Sequence, residues 1–147
     1  MGASAYWYYV PYEQDFNAAL TKLRAREFLA GRYNPVIDFP AFPVNESESP
    51  GCQHDSIQQA MDEAAEDGTR SILDLNTVSD HDNYCTARIL SSEELKKIVT
   101  TDKPQKQDIE NNYSKIIEIV DRGKGICIVI YKDANPDQLF FLGYSFD

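Results

Sequence analysis

The sequence predicts an α+β fold: a single domain, residues 1–147, in which an antiparallel sheet packs against three to four helices over one face. Two observations carry this prediction. Apolar runs with strand character stand at the two ends of the chain, "SAYWYYVPY" first and "ICIVIY" and "LFFLGYSF" last. Between them, apolar residues recur at helical spacing in several segments. A chain of 147 residues fits one domain with its own core.

The first two elements are a predicted strand and a predicted helix. "SAYWYYVPY" is rich in aromatic and β-branched residues, which favour a strand. A helix is expected over about residues 13–30, where the apolar positions are Phe16, Ala19, Leu20, Leu23 and Ala30. Glu27 is expected off this seam. Gly31 suits the left-handed end of the helix, where Arg26 and Arg32 would neutralise free carbonyl groups.

The segment that follows, residues 33–54, holds four of the seven prolines. Proline removes a backbone donor and fixes φ, so a long irregular connection is expected, with at most a short strand near residues 36–39. Loops of this length in compact domains are often functional or mobile.

The middle of the chain predicts further helices. Asp55 followed by Gln58 resembles a capping box at the start of a helix that ends at Gly68. "SILDL" is a candidate strand or extended tail, and "VSDHDNYCTA" reads as loop. Ser91 with Glu94 gives a second capping box. A last helix is expected after Pro104, with an apolar stripe of Ile109, Tyr113, Ile116, Ile117 and Val120.

The C-terminal passage predicts a β-hairpin. "ICIVIY" is a continuous apolar run, typical of a strand buried on both faces or central in a sheet. "KDANPDQ" has turn composition, and "LFFLGYSF" is the returning strand.

Charge is concentrated in one part of the chain. There are 24 acidic and 14 basic residues, net −10. Residues 45–100 hold twelve acidic and four basic residues, net −8, whereas residues 1–44 hold four of each. The excess favours a cationic protein partner or a solvated surface, and it disfavours nucleic acid. No stretch approaches 18 apolar residues, so no membrane-spanning helix is expected.

Cysteine and histidine usage gives no sign of a cofactor or metal site. Cys52, Cys85 and Cys127 are odd in number and widely spaced, which favours free thiols in a reducing cytoplasm. His54 and His81 are the only histidines and lack paired spacing on a regular element. No nucleophile elbow or phosphate-binding glycine motif is present, so the chain is not expected to be an enzyme by motif.

Several charged side chains could nevertheless border one pocket for a small molecule or anion. If the long loop folds back, Glu27 or Asp74 could act as a base and His54 as an acid or base. The candidates for this site are Arg24, Glu27, Arg32, Tyr33, His54, Arg70 and Asp74. The alternative is that these charges pair locally and are structural.

The aromatic run also has two interpretations. Side chains alternate along a strand, so Tyr6 and Tyr8 share one side while Trp7 and Tyr9 share the other. One side could be an exposed interface, and Tyr6, Tyr8 and Tyr144 are the candidates. The alternative is that a helix covers it.

Three passages carry a resemblance to known sequences: "YWYYVPYEQDFNAALTKLRAREFLAGRYNPV", "PGCQHDSIQQAMDEAAEDGTRSILDL" and "YKDANPDQLFFLGYSFD". Together they resemble a group of small bacterial proteins of unknown function, over nearly the whole chain. The resemblance implies a free-standing cytoplasmic bacterial protein and no catalytic residues.

Two functions remain open from the sequence. The first is a small acidic protein-binding module, of the immunity or regulatory type, with a cationic partner. The second is a small-molecule or anion-binding protein, or an enzyme, with the arginine, histidine and aspartate pocket. Convergence of the candidate residues into one open site would favour the second.

Overall fold

The computed structural model describes residues 4–147. It confirms the α+β class, with one sheet of five strands and five α-helices among these residues. The strands are β1 (Ala5–Pro11), β2 (Thr77–Ser79), β3 (Thr86–Ile89), β4 (Gly125–Lys132) and β5 (Asn135–Tyr144). The helices are α1 (Phe16–Ala30), α2 (Ile57–Ala64), α3 (Ser92–Val99), α4 (Lys106–Glu110) and α5 (Tyr113–Glu118).

The sheet is mixed rather than purely antiparallel. Over residues 4–147 its strand order is β1-β5-β4-β3-β2. β5 pairs antiparallel with β1 and β4, as the N-terminal strand and the C-terminal hairpin predicted. β3 pairs parallel with β4 and β2, and α3, α4 and α5 form the crossover from β3 to β4. The prediction of a loop over residues 78–87 is therefore wrong at both ends, which belong to β2 and β3. Both strands are short and polar, so they give little strand signal.

Helices cover both faces of the sheet, so the prediction of one covered face is wrong. One core joins α1 and α2 to alternate strand residues, among them Tyr6, Tyr8, Leu20, Leu23, Ala60, Cys127 and Phe141. The other joins the opposite face to α3, α4 and α5, among them Leu95, Ile109, Ile116, Ile126, Ile128 and Phe140. Burial on both faces explains why "ICIVIY" has no polar alternation.

Helix α1 begins near the predicted position and ends at the predicted glycine. Asp15 caps it by accepting a hydrogen bond from the Ala18 N–H at 3.0 Å. Gly31 has a φ of 75°, and its N–H donates to the Phe28 carbonyl. The expectation that Glu27 lies off the apolar seam is wrong, because its side chain is fully buried on the face that also buries Leu23.

The segment 32–56 is the irregular connection that its prolines predict. It contains no strand, so the short strand considered near residues 36–39 is absent. The loop returns to the end of α1, where the Gly51 N–H donates to the Ala30 carbonyl at 2.8 Å and the Cys52 N–H to the Leu29 carbonyl at 3.1 Å. This return brings the loop beside Arg32, just after α1, which donates from Nη1 to the Ser49 hydroxyl.

Two predictions near α2 need correction. Ser56, rather than Asp55, caps the helix by accepting from the Gln59 N–H at 3.1 Å. The segment "SILDL" contains a 3-10 turn, Ile72–Asp74, instead of a strand or an extended tail.

The capping box of Ser91 and Glu94 at the start of α3 is confirmed. The long helix predicted after Pro104 is divided into α4 and α5 by a break at Asn111 and Asn112. The Asn112 side chain donates to the Asp108 carbonyl at 2.7 Å, the kind of local bond with which asparagine competes against a continuous helix.

The hairpin is confirmed, with an earlier return than expected. β4 and β5 are joined by Asp133 and Ala134, which have φ of 52° and 65°. Two residues with positive φ make the tight turn whose twist matches that of the strands.

Candidate functional site

The end of α1 holds a buried ion pair. Arg32 donates from Nε to Glu27 Oε1 at 2.8 Å and from Nη2 to Glu27 Oε2 at 2.6 Å. Arg26 donates from Nε to the same carboxylate at 2.9 Å. Arg32 Nη1 reaches the Ser49 hydroxyl at 2.9 Å. The pair of Glu27 and Arg32 therefore holds the loop against the helix.

Tyr33 and His54 form a second internal contact. Tyr33 is fully buried, and a hydrogen bond of 2.8 Å joins its hydroxyl to His54 Nδ1. His54 Nε2 is hydrogen-bonded to the Glu63 carboxylate. A carboxylate only accepts, so Nε2 carries the proton and, in the neutral ring, Nδ1 accepts from Tyr33. The chain of three groups fastens the loop to α2.

Arg70 is also fully engaged. Its Nε and Nη2 donate to Asp147 Oδ2 at 3.1 and 2.7 Å, and its Nη1 donates to the Asp38 carbonyl at 2.5 Å. Its guanidinium lies 4.3 Å from the centre of the Phe39 ring. Arg70 thus joins the C-terminal end of the described chain to the proline-rich loop.

Arg24 and Asp74 lie where α1 meets the 3-10 turn. Arg24 Nη2 donates to the Leu73 carbonyl at 3.0 Å. Asp74 is 2% exposed, and its Oδ1 accepts from the Thr69 N–H and hydroxyl, each at 2.8 Å. Burial disfavours the charged carboxylate, and this desolvation raises the pKa of Asp74. Asp74 Oδ2 and Arg24 Nε have no hydrogen-bond partner among the described residues.

The predicted pocket is therefore a set of internal contacts. Its segments do meet, since the Asn34 N–H donates to the Thr69 carbonyl at 2.8 Å and Arg24 reaches Leu73. The side chains that meet there pair with one another or with the backbone. Arg32 borders a cavity of about 10 Å³, which has room for no more than one water.

The aromatic interface candidates are corrected as well. Tyr6 and Tyr8 are 1% and 3% exposed and belong to the core beneath α1, so they offer no surface. The Tyr8 hydroxyl accepts from the Ile72 N–H at 3.2 Å. Tyr144 pairs with Ala5, packs against the other core and is half-buried, so it lies on the opposite face. The alternative, that a helix covers the aromatic face, is the one that applies to Tyr6 and Tyr8.

The acidic excess of residues 45–100 lies at the surface. Asp74 is the one carboxylate of this segment that is buried. The densest group, named here the α2 acidic surface, comprises Asp55, Asp62, Glu63, Glu66 and Asp67, all exposed. Glu63 contacts His54, and Asp67 lies 3.9 Å from Arg70. Across residues 4–147, no cationic group lies within 4.0 Å of the other three carboxylates.

Sequence reasoning missed a feature on the other side of α1, the free edge of β1. Two clefts follow this edge, of about 400 and 240 Å³, and Arg26 lines both. Trp7 and Tyr9 line the smaller cleft. Alternation along "AYWYYVP" indicates which residues share a face, but an edge position depends on pairing between distant segments.

The described residues hold neither a candidate metal site nor a candidate membrane span. Within residues 4–147, no three His, Cys, Asp or Glu side chains are grouped so that they could hold a metal ion. No helix in that same range has the length and apolar character needed to cross a membrane. Comparisons with protein-family models, curated protein sequences and solved structures found no match to this chain.

Proposed function

We propose that this chain is a small cytoplasmic bacterial protein-binding module, of the immunity or regulatory type, that docks a cationic protein partner on the α2 acidic surface. One observation carries the proposal: five exposed carboxylates stand between residues 55 and 67, and Asp55, Asp62 and Glu66 have no cation within 4.0 Å in the described chain.

Unpaired like charges on one surface repel each other, and a cationic partner removes that repulsion. Asp62 lies on α2 and Glu66 in the 3-10 turn that follows it, Ala65–Asp67, so the two carboxylates are close in the chain on the same exposed segment. A complementary partner would also be steered to this surface, which raises the association rate at low salt.

Two further features support the proposal. The arginines of the competing pocket are used internally, so the anion-binding alternative gains no support from Arg32 or Arg70. Cys52, Cys85 and Cys127 are all free, as a reducing cytoplasm would keep them. The bacterial assignment rests on the sequence resemblance alone.

The test is capture of partners from a bacterial lysate on immobilised protein, with identification of what binds. Binding is expected at about 0.01 M salt, where the Debye length is about 30 Å, and should weaken at about 0.15 M, where it is about 8 Å. The captured protein is then purified for affinity measurements with two charge-reversal variants.

The variant Asp62→Lys with Glu66→Lys should weaken the purified complex about tenfold or more. The matched control is Glu118→Lys with Asp121→Lys, which reverses two exposed carboxylates on and after α5. No specific capture at low salt, or equal weakening by both double variants, would refute the proposal.

A further inference from the structure

The backbone of β1 presents an unpaired edge. β1 is the outer strand of the sheet and pairs only with β5, in a register without shifts from Ala5 to Pro11. At the two ends of this pairing, the Ser145 N–H donates to the Ser4 carbonyl at 2.9 Å and the Tyr12 N–H to the Asp137 carbonyl at 3.1 Å.

These two bonds fix which residues face outward. Hydrogen-bonded and non-hydrogen-bonded positions alternate in an antiparallel pair. The positions that bond to β5 are therefore Ser4, Tyr6, Tyr8, Val10 and Tyr12. Trp7 and Tyr9 direct their N–H and C=O groups to the free edge, and no described residue hydrogen-bonds to them there.

The edge lies in a groove rather than on an open surface. The smaller cleft, about 240 Å³, is bordered by Trp7 and Tyr9 and by Pro43, Val44 and Glu46 of the loop. The larger, about 400 Å³, is bordered by Val10, Pro11 and α1. Arg26 stands between them because it lines both. Together the two clefts are named the edge groove.

The groove gathers cations in a chain of net charge −10. Its lining holds three cationic side chains, Lys22, Arg26 and Lys106, and two carboxylates, Glu13 and Glu46, of which Glu13 is paired with Lys22. Arg26 binds Glu27 through Nε alone, and its two Nη groups make no hydrogen bond to a described residue. The Glu27 carboxylate is also shared with Arg32, so one negative charge faces two positive ones. Lys106 lies over the Tyr9 ring, with Nζ 4.5 Å from its centre, and borders the smaller cleft.

We propose that the edge groove binds an extended segment of a partner protein, which adds a strand to β1 and places a carboxylate side chain beside Arg26 and Lys106. Strand addition takes its affinity from main-chain hydrogen bonds and its specificity from pockets for alternate side chains. Here Trp7 and Tyr9 supply the main-chain groups, and the positive groups select an acidic segment. This site lies apart from the α2 acidic surface, so either proposal can fail without the other.

The test uses the whole protein and a phage-displayed library of ten-residue peptides, with hydrogen exchange as the structural measurement. Selected peptides are expected to share an acidic residue within an alternating β-forming pattern. Adding one should slow exchange of the Trp7 and Tyr9 amides about tenfold or more, while the Tyr6 and Tyr8 amides are already protected by β5. The same peptide with N-methyl groups on alternate residues should not bind.

Two protein variants test the charge, with a matched control. Arg26→Ala and Lys106→Glu should each weaken peptide binding about tenfold. Lys106 is exposed and makes no ion pair in the described chain, so its variant tests the charge of the groove without disturbing the ion pairs of Glu27. Arg122→Glu, at an exposed arginine that borders neither cleft, should change binding less than twofold.

Three results would overturn the proposal. One is that no peptide is enriched. Another is that enriched peptides bind all variants equally or leave the Trp7 and Tyr9 amides unchanged. The third is protection of these amides that rises with protein concentration in the absence of peptide, which would make a second copy of this chain the occupant.

Discussion

Arg32 and Glu27 form a two-point ion pair across the end of α1, with side chains that are 8% and 0% exposed. The pair gives Arg32 a structural role at the end of the helix. Its guanidinium is bonded to a side chain, so Arg32 is neither a neutralising charge for free carbonyl groups nor an open site for an anion. It holds a carboxylate that the helix buries, and it fastens the returning loop through Ser49.

Removing one member of this pair should be costly. Arg32→Ala is expected to lower the free energy of unfolding by about 3–5 kcal/mol, because Glu27 stays buried without its main partner. Urea denaturation at pH 7 measures it. Arg26→Ala is the control, since the Arg26 side chain is 40% exposed and its loss should cost about 1 kcal/mol or less. Equal losses in the two variants would contradict this account.

Gly31 is expected to tolerate no side chain. Its φ is 75°, and a Cβ would collide with the Gly51 carbonyl oxygen of the returning loop. Gly31→Ala should therefore cost more than the roughly 1–2 kcal/mol of left-handed strain alone. Gly51→Ala is a matched control, since Gly51 has a φ of 92° but open space around its Cβ position. A Gly51 variant as unstable as the Gly31 variant would show that strain, rather than collision, dominates.

The sequence predicted correctly those features that depend on residues close together in the chain. The alternation of β1, the glycine at the end of α1 and the capping box of α3 each depend on residues close in sequence. The pair of Glu27 and Arg32 does not fit the i,i+4 rule, because the left-handed Gly31 reverses the chain between them. Its recognition required the path of the chain after the helix.

Contacts between distant segments were beyond sequence reasoning. The strands β2 and β3 have three and four residues, too few for a periodic signal, and β4 supplies the pairing that defines β3. The sequence left open whether the candidate pocket residues converge or pair locally; their segments do meet, and their side chains pair internally. Whether Arg70 faced a cavity or Asp147 depended on where the end of the chain lies, which no motif indicates.

Asp74 should give stability a measurable dependence on pH. Burial raises its pKa in the folded protein, so the folded state holds a proton that the unfolded state releases at a lower pH. The free energy of unfolding then falls as pH rises from about 3.8 through the raised folded pKa. Asp74→Asn removes this term, because the neutral amide has no proton to lose, and its oxygen can still accept from Thr69.

The expected result is a difference between wild type and Asp74→Asn that moves in favour of the variant as pH increases from about 4 to 8. Denaturation curves at several pH values measure it. Asp62→Asn, at an exposed carboxylate, is the control and should show a much flatter difference. If the free energy of unfolding of wild type rose relative to that of Asp74→Asn with increasing pH, the interpretation would be refuted.

Glu94 should act in the opposite direction. It accepts from Arg88 Nη1 at 2.8 Å and from the Ser91 N–H at 3.1 Å, and the bond with Arg88 lowers the pKa of Glu94 to about 2. Its contribution to stability is therefore fully present above about pH 4.5 and lost as pH falls toward 2. Glu94→Gln should cost about 1 kcal/mol at pH 7, kept small by solvent screening, and nothing near pH 2. Glu93→Gln removes a neighbouring exposed charge without these bonds, and an equal pH-dependent loss there would contradict the assignment.

Arg70→Lys tests whether Arg70 is structural. Lysine keeps the charge, but it can neither donate from two sites to Asp147 nor lie flat on Phe39 as the guanidinium does. We expect a loss of about 1–3 kcal/mol in the free energy of unfolding. Each kcal/mol lost should lower Tm by roughly 2–4 °C. Thermal unfolding measures this loss, and faster proteolysis within residues 38–50 should accompany it because Arg70 holds the Asp38 carbonyl. Arg122→Lys, at an exposed arginine, should change stability by less than about 0.5 kcal/mol. If Arg70→Lys were as stable as wild type, its contacts would contribute nothing to the fold, and Arg70 would again be a candidate for binding an anion.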